Sequence, residues 1–344
     1  MNTTLITGGA GFIGSHTCLE LLKLGLNVCI VDSFINSSEK TITQIRKIQG
    51  LYKSYEKGIL FFRKGDLKNK KFLFDVFDEF KKKGNPITEV IHFAGLKSVQ
   101  DSLTYPLRYW NNNLIATLML LETMEKFDCF SLVFSSSATI YNTQDVKKID
   151  ENCHKEPINP YGNTKFTIEM ILKDLFVSNS KKWKIINLRY FNPIGAHYSG
   201  LIGENSINKP TNLLPLILKV ATGEYSKLSI YGNDWPTEDG TCIRDFIHVM
   251  DLAESHIASL EFLKNNVPQI ISLNIGTGKG TSVLEMVKRF TEINKVSVPY
   301  TFVDRREGDQ YRLVADNSLA LNLLDWHPKR SIDDMCVDSW KCIT

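Results

Sequence analysis

The sequence predicts an α/β fold built on a doubly wound, mainly parallel sheet, with a smaller mixed α/β lobe at the C-terminus. Three observations predict it. The chain has 344 residues and is 43% hydrophobic, enough for one large core or two coupled ones. Strand-like and helix-like stretches alternate, as in repeating βαβ units. A glycine-rich turn joins the first of these strands to the first helix.

The individual elements follow from the residue pattern. Thr3–Thr7 is predicted as a buried strand, Ser15–Leu24 as a helix with an apolar stripe, and Val28–Val31 as a second strand. The later strands and helices are predicted at Ile59–Phe62, Leu73–Lys83, Val90–Phe93, Leu114–Lys126, Ser131–Ser135, Tyr161–Phe176 and Ile185–Arg189. We therefore expect one domain over residues 1–190.

The texture of the sequence changes after about Phe191. Gly, Asn and Pro become frequent, and the predicted strands Leu228–Tyr231, Ile271–Ile275 and Thr301–Val303 are short and isolated. We expect a second domain over residues 191–344. Within that range, residues from about 240 to 265 are expected to contribute to the first domain.

Composition argues against several classes of protein. The net charge of +3 is small and dispersed, so we expect no nucleic-acid partner. No stretch reaches the length of a membrane span and no secretion signal is evident, so we expect a soluble, cytoplasmic protein. Seven cysteines without a C-x-x-C pair are typical of a reduced intracellular protein. Because no His or Cys pair has zinc spacing, no metal is expected.

The glycine-rich turn is the first candidate site. Gly8, Gly11 and Gly14 follow a strand and open a helix, and Asp32 ends the next strand. The glycines allow a tight turn, close approach of a pyrophosphate to the backbone, and close packing of helix on strand. Asp32 would accept hydrogen bonds from an adenosine ribose and repel a 2′-phosphate. The turn therefore predicts a Rossmann-type site for NAD rather than NADP.

A second acidic residue, Asp66, ends the following strand candidate. Its carboxylate is placed to meet the adenine, and it is equally placed to cap the next helix. Because one carboxylate can do both, both roles stay open.

A candidate catalytic group follows the fifth strand. Ser137 stands at the strand end, and Tyr161 and Lys165 lie one helical turn apart. A free tyrosine has a pKa near 10, and we expect the lysine ammonium to lower that value. Ser137 would bond the same substrate hydroxyl as Tyr161. In a chain that also has a dinucleotide site, this trio predicts the removal of a proton from an alcohol.

At these positions the chain resembles the extended short-chain dehydrogenase/reductases, and within them the UDP-glucose 4-epimerase family. The matching stretches cover nearly the whole chain, namely Thr7–Cys18, Val90–Lys97, Phe134–Tyr141, Pro160–Lys165, Leu188–Ala196, Gly232–Asp251 and Arg305–Asp309. The run Tyr190-Phe191-Asn192-Pro193 is far more specific than the glycine triplet.

The resemblance implies two sets of contacts. Besides the glycines and the catalytic trio, NAD contacts are implied for Phe12, Ile13, Asp32, Asn36, Ser37, Asp66, Leu67, Phe93, Ala94, Gly95, Lys97, Asn112 and Phe191. UDP-sugar contacts are implied for Ser137, Tyr161, Asn192, Asn212, Leu213, Ser229, Ile230, Tyr231, Arg244, Arg306, Asp309 and Leu313. The two arginines suit a diphosphate, and a surface ion pair of either one with the adjacent Asp245 or Glu307 is the less favoured alternative.

The resemblance also implies a redox-neutral inversion at C4 of a UDP-hexose. Tyr161 takes the C4 hydroxyl proton, hydride passes to tightly held NAD, the flat 4-ketose turns over, and both return to the opposite face. Lys165 keeps the tyrosine acidic and holds the nicotinamide ribose. A homodimer packed through helices near Leu114–Lys126 and Tyr161–Phe176 is implied as well.

The sugar stays open at this point. A 4-epimerase of a UDP-N-acetylhexosamine, UDP-pentose or UDP-uronate would share these features. Leu313 stands where family members carry either Tyr or a small residue that leaves room for a 2-acetamido group, and Leu is intermediate. Phe246 replaces a common Tyr and lacks its hydroxyl.

Two further functions are less favoured. A nucleotide-sugar dehydratase needs an Asp-Glu pair just after the strand-end residue, where this chain has Ala138 and Thr139. A non-catalytic NAD-sensing protein would be expected to have lost Tyr161 or Lys165, and both are present.

Overall fold

A computed structural model describes residues 2–55, 57–142, 146–204, 210–306 and 308–344. The strands are β1 (Thr3–Thr7), β2 (Asn27–Asp32), β3 (Leu60–Lys64), β4 (Ile87–His92), β5 (Ser131–Ser137), β6 (Lys184–Tyr190), β7 (Asn192–Ile194), β8 (Leu228–Tyr231), β9 (Ile243–Arg244), β10 (Phe246–His248), β11 (Gln269–Ile275), β12 (Thr281–Ser282), β13 (Tyr300–Val303) and β14 (Arg312–Leu313). The helices are α1 (Phe12–Lys23), α2 (Glu39–Leu51), α3 (Lys70–Lys82), α4 (Val99–Thr104), α5 (Pro106–Trp110), α6 (Ala116–Lys126), α7 (Pro160–Ser178), α8 (Leu213–Ala221), α9 (Val249–Asn265), α10 (Val283–Asn294), α11 (Ser318–Leu324) and α12 (Ile332–Lys341).

A seven-stranded parallel sheet forms the centre of the molecule. Its strand order is β11-β6-β5-β4-β1-β2-β3, so the order reverses beside β1 as in a doubly wound fold. The predicted fold class is confirmed, and smaller sheets occupy the C-terminal part.

Helices cover both faces of this sheet because alternate strand residues are apolar on each side. Ile6, Ile30 and Ile91 pack with α1, α2 and α9 on one face. Leu5 and Val90 pack with α3, α6 and α7 on the other. Burial on both faces explains why the central strands are almost continuously hydrophobic.

One strand differs from its predicted place. The segment predicted as the isolated strand Ile271–Ile275 is the end of β11, which pairs in parallel with β6 at the edge of the large sheet. The crossover is α9, which packs against α1. The pattern of residues in a sequence does not give the order of strands in a sheet, so the pairing of β11 with β6 could not be predicted. We propose that the first domain comprises residues 1–190 together with α9 and β11.

The C-terminal lobe has its own hydrophobic core. Buried residues of α8, α10 and α12 pack there against β8, including Ile217, Phe290 and Met335. The strand β8 pairs with β13, and β9 joins β12 and β14 in a small mixed sheet. Within the described ranges, no helix is both long and apolar enough to cross a membrane.

Candidate active site

A cleft of about 740 Å³ separates the carboxyl ends of the central strands from the C-terminal lobe. Parallel sheets bind ligands at this edge, where the strand order reverses. All of the predicted site residues line the cleft except Leu313.

The glycine turn forms the floor of the cleft at one end. Gly8 has a φ of +68°, and a Cβ there would stand 2.7 Å from the backbone nitrogen of Ala94. A Cβ on Gly14 would stand 2.6 Å from the carbonyl oxygen of Gly8. No side chain caps the N-terminus of α1 at Gly11, so its N–H groups are available to an anion. These features fit the pyrophosphate of a dinucleotide.

Asp32 at the end of β2 is held in one orientation by three donors. Its Oδ2 accepts a hydrogen bond from Ala10 N at 3.0 Å. Its Oδ1 accepts from Phe34 N at 2.9 Å and from Ser37 Oγ at 2.7 Å. The carboxylate retains unused lone pairs, so it suits the ribose hydroxyls of a dinucleotide.

Asp66 lies in the cleft but does not cap a helix. Its Oδ1 accepts from Lys68 N at 2.9 Å. The cap of α3 is Asn69, whose side chain accepts from Phe72 N at 3.1 Å. The helix begins three residues later than a cap at Asp66 requires, so that expected role is wrong.

The candidate catalytic trio is assembled by β5 and α7. Ser137 ends β5, and its Oγ accepts from the Thr139 hydroxyl at 3.0 Å. Asn159 caps α7 by accepting from Gly162 N at 2.8 Å. This cap fixes the first turn of α7, which carries Tyr161, and Lys165 follows one turn later.

Burial governs the proton affinities of the two residues on α7. It raises the pKa of Tyr161 to about 12, and the hydrogen bond with Ser137 only partly opposes it. Burial also lowers the pKa of Lys165 to about 7. The expected lowering of the tyrosine pKa by the lysine is therefore not found. The reason is geometric, because Lys165 Nζ is 5.9 Å from the centroid of the tyrosine ring and donates to Ser135 O at 2.7 Å.

The opposite wall of the cleft carries the two predicted arginines. Arg244 donates to Gln310 O at 2.8 Å and lies 3.8 Å from Asp309, rather than pairing with its neighbour Asp245. Asp245 is buried and accepts backbone N–H bonds instead. Arg306 stacks over Tyr231 with its Cζ 4.2 Å from the ring centroid. Its suggested partner Glu307 lies outside the described residues.

Leu313 lies behind the cleft rather than on its surface. It belongs to the short strand β14, pairs in register with Arg244, and packs against the cluster that contains Tyr141 and Phe191. Only Phe191 of that cluster's aromatic residues lines the cleft. The predicted direct contact of Leu313 with the substrate is therefore not supported.

Several residues that line the cleft were missed from the sequence, among them Ser135, Tyr190 and Glu204. Ser135 lies two positions before Ser137 on the same face of β5, so the two-residue period could have revealed it. Tyr190 is brought beside Ser137 by strand pairing, which the sequence does not show. Glu204 Oε1 lies 2.7 Å from Lys97 Nζ and accepts a hydrogen bond from Asn212 Nδ2 at 3.3 Å. It therefore links the side of the cleft that carries Lys97 to the side that carries Asn212.

A dinucleotide turn that faces a Ser–Tyr–Lys trio across one cleft defines the class of short-chain dehydrogenase/reductases. A family model described as GDP-mannose 4,6 dehydratase matches residues 5–339. A UDP-glucose 4-epimerase of Bacillus subtilis is 45% identical over 337 residues, which span 98% of this chain and 95% of the relative.

Two crystal structures superpose over 99% of this chain and 98% of their own. One is a UDP-glucose 4-epimerase from Stenotrophomonas maltophila with bound NAD and formylated UDP-arabinopyranose, at 41% identity and a TM-score of 0.93. The other is a UDP-glucose 4-epimerase from Bifidobacterium longum in complex with NAD⁺ and UDP, at 41% identity and a TM-score of 0.91. The chain belongs to the UDP-glucose 4-epimerase family.

Proposed function

We propose that this protein is an NAD-dependent isomerase that interconverts UDP-glucose and UDP-galactose by inverting C4 of the hexose. The observation that carries the proposal is the single cleft in which the glycine turn, the Ser137–Tyr161–Lys165 trio and the two arginines meet. The relatives described above are UDP-glucose 4-epimerases, which supports the same reaction. Such an activity would serve galactose metabolism in the cytoplasm, where the seven free thiols stay reduced.

The first wall of the cleft is formed by the glycine turn and by the strand ends that carry Asp32 and Asp66, and it would hold the dinucleotide. The N-terminus of α1 would bind the pyrophosphate, and Asp32 and Asp66 would bind the adenosine end. When bound, NAD supplies a hydride acceptor that can return the hydride to either face of C4.

The trio would move the proton. Tyr161 takes the proton of the C4 hydroxyl, and Ser137 holds the same oxygen by a hydrogen bond. Lys165 lines the same end of the cleft and would hold the nicotinamide ribose. When the sugar presents its other face, Tyr161 returns the proton to the oxygen.

The opposite wall, which carries Arg244, Arg306 and Tyr231, is the second wall, and it would bind the nucleotide part of the substrate. Arg244 and Arg306 would pair with the diphosphate, and Tyr231 would contact the base side of the nucleotide. Because recognition falls on UDP, the sugar stays free to turn over between the two half-reactions.

Elimination of water is disfavoured at this site. A dehydratase needs an acid and a base after the strand end, and this chain has Ala138 and Thr139 there. Thr139 donates its hydroxyl to Ser137 and cannot act as either group.

The choice of sugar is tested by a substrate panel. Purified protein is incubated separately with UDP-galactose, UDP-N-acetylgalactosamine and UDP-xylose, without added NAD, and the products are identified by NMR. We expect UDP-glucose from the first. If C4 is inverted in none of the three sugars, the proposal is overturned. If C4 is inverted in one of the other two sugars but not in UDP-galactose, the substrate is reassigned to that sugar.

We also propose a homodimer formed through the helices on the outer side of α7. Exposed apolar side chains gather on α4 to α7, namely Leu103, Leu107, Leu118 and Met170. A monomer rarely leaves such a patch open to water. In sedimentation velocity, Leu107→Asp should convert a wild-type dimer to a monomer. Val267→Asp, at a similarly exposed position outside these helices, should leave it a dimer. A monomeric wild type, or a dimeric Leu107→Asp variant, would contradict this interface.

A further inference from the structure

A buried ion pair joins the helix that carries Tyr161 and Lys165 to the central sheet. Arg189 of β6 donates through Nε to Glu169 Oε1 at 3.0 Å and through Nη2 to Glu169 Oε2 at 2.6 Å. The two side chains are only 5% and 7% exposed. Neither residue lines the cleft, and the mechanism proposed above uses neither of them.

Glu169 continues the side of α7 that faces the site. It follows Lys165 by one helical turn and Tyr161 by two, and residues at this spacing lie along one side of a helix. Any rotation of α7 at Glu169 would therefore also move the two residues of the candidate trio.

The end of β5 is tied to α7 at two successive helical turns. The carbonyl oxygen of Ser135 accepts from Lys165 Nζ at 2.7 Å. The hydroxyl of the next residue, Ser136, donates to Glu169 Oε1 at 2.5 Å. The third residue in this run is Ser137, the strand-end member of the trio. Glu169 is thus bonded to the strand within one residue of Ser137.

Arg189 connects the same arrangement to more distant parts of the chain. Its Nη1 donates to the Tyr141 hydroxyl at 2.7 Å and to the carbonyl oxygen of Glu151 at 3.2 Å. The Tyr141 hydroxyl donates in turn to Asn274 Oδ1 of β11 at 2.7 Å. The position of Glu169 is therefore set by β6 and β11 as well as by β5.

Stability alone does not account for a pair of this kind. Two charges taken out of water lose their hydration, and well-packed apolar side chains of similar volume are often at least as stable. A bidentate pair of planar groups fixes both distance and direction, which apolar contacts do not. We infer that Glu169 and Arg189 are positioning residues that hold α7 at one rotation against the end of β5 and thereby align the candidate trio. The inference rests on the proposed function of that trio.

A small misalignment of the trio is enough to slow the reaction. Displacement of a reacting group by about 1 Å can lower turnover by about 10²-fold. Binding of the dinucleotide and of UDP depends mainly on the glycine turn and on the arginines of the second wall, which lie on other elements. Loss of the pair should therefore lower kcat and leave dinucleotide content and UDP affinity unchanged.

The first experiment replaces both partners together in the full-length protein that carries its copurified dinucleotide. Glu169→Met with Arg189→Met removes both charges and fills a similar volume, so the variant should unfold near the wild-type urea concentration. We expect its kcat to fall about tenfold to a hundredfold, with KM and bound dinucleotide unchanged. A pair that only stabilises the fold would leave kcat of the folded variant at the wild-type value, and that result would overturn the inference.

The chain offers a matched control pair outside α7 and β5. The carboxylate of Asp251, on α9, is buried and pairs with the partly buried guanidinium of Arg330. Neither residue lines the cleft. Asp251→Leu with Arg330→Met removes the same kind of ion pair, and kcat should stay at the wild-type value. An equal fall of kcat in the two double variants would show a general effect of lost packing and contradict the inference.

A milder variant keeps the test independent of how the double variants fold. Ser136→Ala removes only the hydroxyl that joins β5 to Glu169, and we expect kcat to fall about tenfold, the typical effect of one hydrogen bond to a charged group. In the background of the two methionine substitutions it should change kcat less than about twofold, because the connection is already cut. A wild-type kcat for Ser136→Ala, or an equal effect in both backgrounds, would overturn the inference. An inactive wild type would instead refute the proposed function, so the two failures are distinguishable.

Discussion

The two walls of the cleft are built from different parts of the chain and from different chemistry. The first wall consists of strand ends, glycines and short buried groups such as Asp32, held by backbone bonds. The second carries long side chains, as in the stack of Arg306 on Tyr231, which is partly open to solvent. A rigid wall suits a group that stays, and an adjustable wall suits one that must enter and leave. The comparison therefore supports a retained dinucleotide and an exchanging UDP-sugar.

The largest effect is expected where the two walls meet. Tyr161→Phe removes the hydroxyl that would carry the proton while it keeps the ring in place. We expect turnover to fall by about 10²- to 10⁴-fold, the typical contribution of general acid–base catalysis. Dinucleotide content and UDP affinity, measured by absorbance of the denatured extract and by calorimetry, should stay unchanged. Near-normal turnover would remove Tyr161 from its proposed role.

The first wall can be broken through its backbone. Gly8→Ala places a Cβ in a left-handed turn and against Ala94, so we expect loss of bound dinucleotide and destabilisation by several kcal/mol. Gly84→Ala is the matched control, because Gly84 has a φ of +74° with open space around it. It should cost about 1 to 2 kcal/mol in urea unfolding, the strain of the left-handed backbone alone, and keep the dinucleotide. Equal effects of the two substitutions would show that steric contact at the turn is unimportant.

We expect substitutions in the second wall to change the affinity for the substrate alone. Arg306→Ala removes a guanidinium that faces the cleft, and we expect KM for the UDP-sugar to rise about tenfold to a hundredfold. Bound dinucleotide and kcat should change little. The adjacent Arg305 pairs with Asp234 and stacks on Trp235, away from the cleft. Arg305→Ala should therefore leave KM near its wild-type value, and a similar rise in both variants would contradict the assignment.

The smallest expected effect is the acid sensitivity of the first wall. Burial lowers the pKa of His92 to about 3 and those of His16 and His256 to about 4. Because the unfolded chain binds protons that the folded chain excludes, stability falls as the pH drops from about 6.5 towards these values. Each histidine contributes at most about 1.4 kcal/mol per pH unit.

Urea unfolding between about pH 7 and pH 5 measures this slope. His92→Gln should reduce it, and the exposed His154→Gln should not. An unchanged slope for His92→Gln would show that this histidine is not excluded from protonation in the folded state.

The sequence predicts the first wall far better than the second. Glycines, strand-end acids and the Tyr–Lys spacing are local patterns with local physical causes, and the structure brings Gly8, Asp32, Tyr161 and Lys165 into one cleft. The arginines of the second wall are separated along the chain, so only the family resemblance indicated them.

What the sequence missed depends on contacts between distant elements. The place of β11 in the large sheet, the position of Leu313 behind the cleft and the Glu169–Arg189 pair all follow from packing order. The helix α2 was also missed, because its apolar face is reduced to Ile42, Ile45 and Ile48. Such features need the assembled fold.

The central claim is that the bound dinucleotide takes up and returns the same hydride within one turnover. UDP-galactose deuterated at C4 tests it most directly, in a reaction without added NAD and followed by NMR and mass spectrometry. The account predicts UDP-glucose that keeps the deuterium at C4. Loss of the deuterium to solvent, or inversion only when NAD is supplied in stoichiometric amounts, would contradict it.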